Sequence, residues 1–147
     1  MSDPVNQPSH YTSHKSGVEC IEIVDSLTFS LGNAIKYTFR AGLKASLTED
    51  VRKALWYLQR EQVRLRATGA FGSPRPRRAR AAARRLLEHG DDGPLGVVLR
   101  ELFAGDADVV TETEIRRAEL ALSRWMAAAT ASVDEESGEP LFVGGAS

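Results

Sequence analysis

The chain has 147 residues, 42% of them hydrophobic, and a formal net charge of −1. That length suits one domain, or a domain with an appendage. No run approaches the roughly 18 apolar residues of a membrane helix, and one cysteine, Cys20, excludes an intrachain disulfide and a four-cysteine zinc site.

The near-neutral total conceals blocks. Residues 73–90 carry six Arg against one Glu, and residues 91–147 carry four Arg against twelve acidic residues. Blocks of opposite sign point to contact between segments, or with a charged partner. The polar, proline-bearing start has no apolar leader core, so a cytoplasmic protein without a secretory signal is expected.

Residues 1–18 read as an extended arm, because Pro4 and Pro8 push the residues before them toward extended backbone. Cys20, Ile23, Val24 and Leu27 then recur at helical spacing and predict a helix ending near Phe29–Leu31. Gly32 and Asn33 suit a turn, and a second helix follows, closed by Gly42. A third helix starts at Ser46, where Glu49 completes a capping-box spacing and Thr48 competes as cap. Its stripe of Val51, Leu55, Leu58, Gln62 and Leu65 carries it to about Ala67. These helices make a helical domain over 19–67.

"TGAFGSPRP", residues 68–76, reads as a linker. Residues 77–131 read as a second helical region. It holds an Arg/Ala helix stopped by "GDDGP", a short helix from Pro94 to Phe103, and a long helix capped by Thr111 or Thr113. Ile115, Ala118, Leu122 and Trp125 lie near one face of that last helix. Residues 132–147 read as an acidic, mobile tail in which "PLFV" could dock. No strand pattern is convincing. The expected fold is all-α, about three N-terminal helices plus two or three C-terminal ones.

The second helix carries an unusual stripe. Asn33, Lys36, Tyr37 and Arg40 fall at i, i+3, i+4 and i+7, where a core-facing helix carries apolar groups. Asp50, Lys53 and Tyr57 share a face of the third helix. Cations and phenols brought together between the two helices would suit phosphates and a base, since Arg offers paired donors and Lys a compact charge. The plainer reading is a pair of solvated faces whose long stems cover apolar neighbours. No standard phosphate-binding glycine loop is present.

Three other clusters stand out. His10 and Tyr11, with His14 after them, could fold over a site or belong to a flexible terminus. Glu19, Glu22 and Asp25 could ligate Mg²⁺ or form an exposed acidic face; Glu49 and Asp50, being adjacent, make a poor second pair. Arg75, Arg77, Arg78, Arg80, Arg84 and Arg85 could bind nucleic-acid phosphates, or be neutralised by the acidic segment that follows.

The string "VNQPSHY … GVECIEIVDSL … GNAIKYTFRAGLK … EDVRKALWYL" resembles the SaV-like family of phage proteins, over roughly residues 5–60. Asn6, Pro8, His10, Tyr11, Glu19, Ile21, Gly32, Asn33, Lys36, Tyr37, Arg40, Gly42, Lys44, Asp50, Lys53, Ala54, Trp56 and Tyr57 carry the resemblance, and Glu22 departs from the family's usual Asp. One member is a nucleotide kinase without a standard phosphate loop. The resemblance therefore implies nucleotide handling in an infected bacterial cell, with ATP or a deoxynucleoside monophosphate as ligand and Mg²⁺ as an optional companion.

On that footing Lys36, Arg40 and Lys53 would neutralise phosphates. Tyr37, Trp56 or Tyr57 would stack on a base, Asn33 would read an edge, and His10 and Tyr11 would close the site. Replacing Lys36 or Arg40 with Ala should then weaken nucleotide binding with little effect on stability. A non-catalytic sponge for host signalling nucleotides would use the same residues. A third reading makes the Arg helix a nucleic-acid or host-protein binding module. The second half of the chain, outside the resemblance, would build a homo-oligomer or recruit a partner.

Overall fold

The computed structural model describes residues 5–6, 8–43 and 46–137. The expectations for Lys44 and for the tail segment "PLFV" lie outside the described residues. The fold is essentially all-α: α1 (Ser9–Thr12), α2 (Cys20–Val24), α3 (Phe29–Arg40), α4 (Leu47–Thr68), α5 (Arg77–Glu88), α6 (Pro94–Leu102) and α7 (Glu112–Ser137). Two three-residue strands, β1 (Gly72–Pro74) and β2 (Val109–Thr111), pair antiparallel with Ser73 opposite Val110. No described helix is long and apolar enough to cross a membrane.

Local chemistry explains most of the boundaries. Ser46 caps α4, its hydroxyl accepting from the Glu49 N–H at 3.4 Å. Gly42, at φ +80°, makes the left-handed turn between α3 and α4. Thr111 and Glu114 form a reciprocal box at the start of α7, the Thr111 N–H donating to Glu114 at 3.0 Å and the Glu114 N–H to Thr111 at 3.3 Å. Pro94 opens α6, where its missing N–H costs nothing.

The first predicted helix is shorter than its periodicity implies. α2 stops at Val24, and Thr28 starts α3 by accepting from the Leu31 N–H. Gly32 and Asn33 therefore sit inside α3. Gly32 packs close to α2, and a Cβ there would sit at ordinary contact distance, 3.6 Å, from the Val24 carbonyl oxygen. Thr28 also donates to Glu61 of α4, a long-range bond that favours this start.

Residues 72–74 of the expected linker are strand β1, because Ser73 has buried partners. Its hydroxyl donates to Glu61 at 2.7 Å, and Glu61 also accepts from Arg64 at 2.6 Å. Fully buried Glu61 thus ties the α3 cap, α4 and β1 together. Burial pushes its carboxyl up, but the bonds from Arg64, Thr28 and Ser73 outweigh burial and hold it below the ordinary carboxylate value.

α3 packs on α4, α6 on α7, and α4 on α7, while α2 meets α5 and α3 meets α6. One core results, running from Ile23, Leu31 and Leu58 to Leu86, Leu99 and Leu122. The Arg-rich segment is part of this framework. Arg75 is buried, donating to the carbonyls of Leu102 at 2.8 Å and Ala107 at 2.9 Å and to Glu114 at 3.1 Å. Arg80 and Arg84 reach Asp108 and Asp106, each at 3.1 Å, and Arg85 reaches Glu22 at 2.9 Å.

Candidate functional site

α3 and α4 bring the two polar stripes against each other around Tyr37. Its ring stacks on Tyr57 with centroids 5.9 Å apart and planes 11° from parallel. Three cations surround it: Lys36 Nζ lies 5.6 Å from its centroid, Arg40 Cζ 5.3 Å and Lys53 Nζ 5.3 Å. These separations are within cation–π range. α1 adds Tyr11, whose centroid is 6.0 Å from Lys36 Nζ.

Tyr57 carries the array outward. Phe29 meets it edge-on at 5.9 Å and Trp56 at 5.0 Å. Phe29 is 76% exposed and Trp56 57%. Solvent-facing rings beside three cations make a surface that accepts a planar group and an anion together.

Beneath this surface lies an ion pair. Arg40 Nε is 3.2 Å from Oδ1 of Asp50, whose side chain is fully buried. Burial opposes the Arg40 charge, but the Tyr11 hydrogen bond and Asp50 outweigh it and raise the guanidinium above its ordinary pKa. Neither Asp50 oxygen has a hydrogen bond of good geometry. Arg40 is therefore the counterion of a buried carboxylate, and its removal strands that charge. The expectation that Arg40→Ala leaves stability nearly unchanged is corrected by this contact. Lys53 is held above its ordinary pKa chiefly by its hydrogen bond to Glu49, 3.0 Å away.

The nine residues singled out from the sequence do not line one cavity. Lys53 and Trp56 border a shallow depression of about 560 Å³ with Arg52, Glu49, Ser46 and Thr48. Tyr11 and Lys36 border one of about 210 Å³ that includes Asn6, Glu19 and Cys20. His10 lies against Tyr11, ring centroids 4.1 Å apart and planes tilted by 60°, and faces a third, of about 430 Å³, with His14, Phe39 and Asp91. Tyr37, Arg40 and Tyr57 occupy the ridge between α3 and α4. Asn33 turns inward along its helix, its amide donating to the Phe29 carbonyl at 2.8 Å.

His14 anchors the arm. One ring nitrogen meets Asp91 at 2.8 Å and the other meets Ser16 at 2.8 Å. Asp91 in turn accepts from the Gly93 and Gly96 N–H groups at the start of α6. With both ring nitrogens engaged, His14 ties residues 8–18 to the second half of the chain. Glu22, a candidate Mg²⁺ ligand by sequence, accepts from the Glu19 N–H at 2.7 Å and from Arg85. Among the described residues no group of three His, Cys, Asp or Glu is placed to hold a metal ion. Burial pushes the Cys20 thiol up to about 12, with the Lys36 charge acting the other way.

Sequence reasoning passed over Phe29 and Arg52 as site residues and did not link Asp50 to Arg40. Phe29 gives no signal, because its partner Tyr57 lies on another helix, 28 positions on. Asp50 gives a partial one, since it shares a helix face with Lys53 and Tyr57.

A family described only as a protein of unknown function, DUF3310, matches residues 5–59. The match includes all nine candidate residues and covers less than half of the chain. No curated protein and no solved structure matches.

Proposed function

We propose that the ridge between α3 and α4 binds nucleotides. The observation that carries this reading is the ring of Lys36, Arg40 and Lys53 around Tyr37, with exposed Trp56 and Phe29 beside it. Lys36 and Lys53 would meet the phosphates and an exposed ring would stack on the base. Arg40, held by Asp50 and Tyr11, would add fixed positive charge rather than a mobile contact. The resemblance to phage proteins, one of them a nucleotide kinase, supports a nucleotide as ligand and a deoxynucleoside monophosphate as substrate.

Retention without turnover is the second reading, and one feature favours it. Glu49 and Asp50, the carboxylates on this part of α4, are already engaged by Lys53 and Arg40. Neither is poised to act as base for phosphoryl transfer. The test is titration calorimetry of the full chain with each deoxynucleoside monophosphate and with ATP, followed by chromatography for the diphosphate. Binding weakened about tenfold by Lys36→Ala supports the site. Absence of binding to every nucleotide overturns it, and diphosphate product decides for the kinase.

A further inference from the structure

α4 presents a second stripe, on the side away from the core. Arg52, Trp56, Arg60 and Val63 fall at i, i+4, i+8 and i+11, all exposed. Arg52 and Arg60 each sit one turn from Trp56 along the helix, roughly 6 Å of axial rise. The other side of the helix is occupied, with Val51, Ala54, Leu58 and Leu65 buried in the core. The stripe is thus a narrow track of cation, aromatic, cation.

The arginines of this track differ from four of the six in the Arg-rich segment, where exposed Arg77 and Arg78 also lack an ion pair among the described residues but have no ring beside them. Arg75, Arg80, Arg84 and Arg85 each reach a carboxylate. Arg52 and Arg60 have no carboxylate partner among the described residues. Asp50 and Glu49, the two acids nearest Arg52 in sequence, pair with Arg40 and Lys53. An exposed indole with an unpaired guanidinium on either side matches a ligand that alternates anions with planar groups.

We propose that this track binds single-stranded nucleic acid, so that the nucleotide held at the adjoining ridge is one unit of a strand. The proposal rests on the nucleotide-binding reading and narrows its ligand class. Three features favour a strand over a free nucleotide. The surface is open, whereas small-ligand sites are concave and enclosing. Its rings continue from Tyr37 through Tyr57 to Trp56, with Phe29 beside them, giving more than one stacking platform. Its unpaired cations extend to Arg60, a turn beyond those rings. A duplex keeps its base faces covered and cannot use such platforms. An anionic membrane would need a broad apolar helix face, and that face of α4 is already buried.

The test uses the full chain and fluorescence anisotropy with a labelled twelve-nucleotide single strand. Competitors are the matching duplex, free mononucleotides and vesicles containing anionic lipid. Expected are preference for the single strand and about tenfold weaker binding for Trp56→Ala. The Arg52→Ala/Arg60→Ala double variant should make the slope of log K against log salt shallower by about 1.4, from roughly 0.7 per phosphate contact. Arg77→Ala/Arg78→Ala should leave both unchanged, and circular dichroism checks that each variant is folded. Mononucleotide binding without strand binding overturns this inference and leaves the nucleotide reading standing. Failure of both ligands removes both. Tighter duplex binding, full competition by vesicles, or indifference to Trp56→Ala each overturns the track.

Discussion

The two basic regions of this chain differ in what stands beside their cations. In residues 75–85 the density of Arg is highest, yet Arg75 is buried against carbonyls and Glu114, and Arg80, Arg84 and Arg85 face acidic partners. Along α3 and α4 the cations are sparser, but Lys36, Arg40 and Lys53 gather around one ring and Arg52 and Arg60 are left unpaired. Charge density in sequence therefore does not locate the basic surface. What counts is where the fold sets cations beside exposed rings, since Arg40 and Lys53 also meet carboxylates. The acidic block of residues 91–147 supplies carboxylates to the Arg segment through the α6–β2 loop and the start of α7.

The sharpest way to break that contrast is to remove Arg75. Arg75→Ala leaves the Leu102 and Ala107 carbonyls and Glu114 without their buried partner, and a loss of about 3–5 kcal/mol is expected. Chemical denaturation measures it. A loss below about 1 kcal/mol would mean that the Arg segment is a solvated face after all.

The next effect belongs to the ridge. Arg40→Ala strands fully buried Asp50 and should cost about 3 kcal/mol. The paired change Arg40→Met/Asp50→Leu should restore most of that stability, because it removes both charges from a buried place. If the single variant melts like the parent, the pair is not the floor of the ridge.

Acid should weaken the framework through Glu61 and Glu114. Burial raises both carboxyls, but hydrogen bonds from Arg64, Thr28 and Ser73 at Glu61, and from Thr111 and Arg75 at Glu114, bring their folded pKa values below the ordinary 4.5. Below about that value the unfolded chain binds more protons than the folded one. The stabilisation is fully present above pH 4.5 and is lost as pH falls below it toward the folded values. Melting temperature measured from pH 7 to pH 3 should therefore drop on the acid side, and Glu61→Gln should flatten part of that drop. An unchanged acid limb in Glu61→Gln would remove Glu61 from the explanation.

The smallest changes complete the comparison. Lys36→Ala and Arg77→Ala should each alter stability by no more than about 0.5 kcal/mol. Only Lys36→Ala should also weaken nucleotide binding. Equal effects on binding from the two would erase the distinction between the regions.

Much of the helical architecture was legible. Ser46 with Glu49, Thr111 with Glu114, Pro94 and Gly42 are local signals, and local signals fix where helices begin and end. The break between Val24 and Thr28 was not legible, because Thr28 answers to Glu61 as well as to its own helix. β1 was hidden for the same reason: a glycine- and proline-bearing segment became a strand through Ser73 and its pairing with Val110. In the candidate site, helical spacing placed Lys36, Tyr37 and Arg40 on one face but could not say what stood opposite.

By itself the sequence determined an all-α chain, the Ser46 start of α4 and the two polar stripes of α3 and α4, because each depends on residues within a turn or two of one another. The tertiary structure decided which charges meet. It gave Arg40 to buried Asp50, Arg75 to Glu114 and the carbonyls around it, and His14 to Asp91, and left Arg52 and Arg60 facing solvent. Those pairings join groups from 10 to 77 positions apart, and only the tertiary packing of helices and their connections sets such distances.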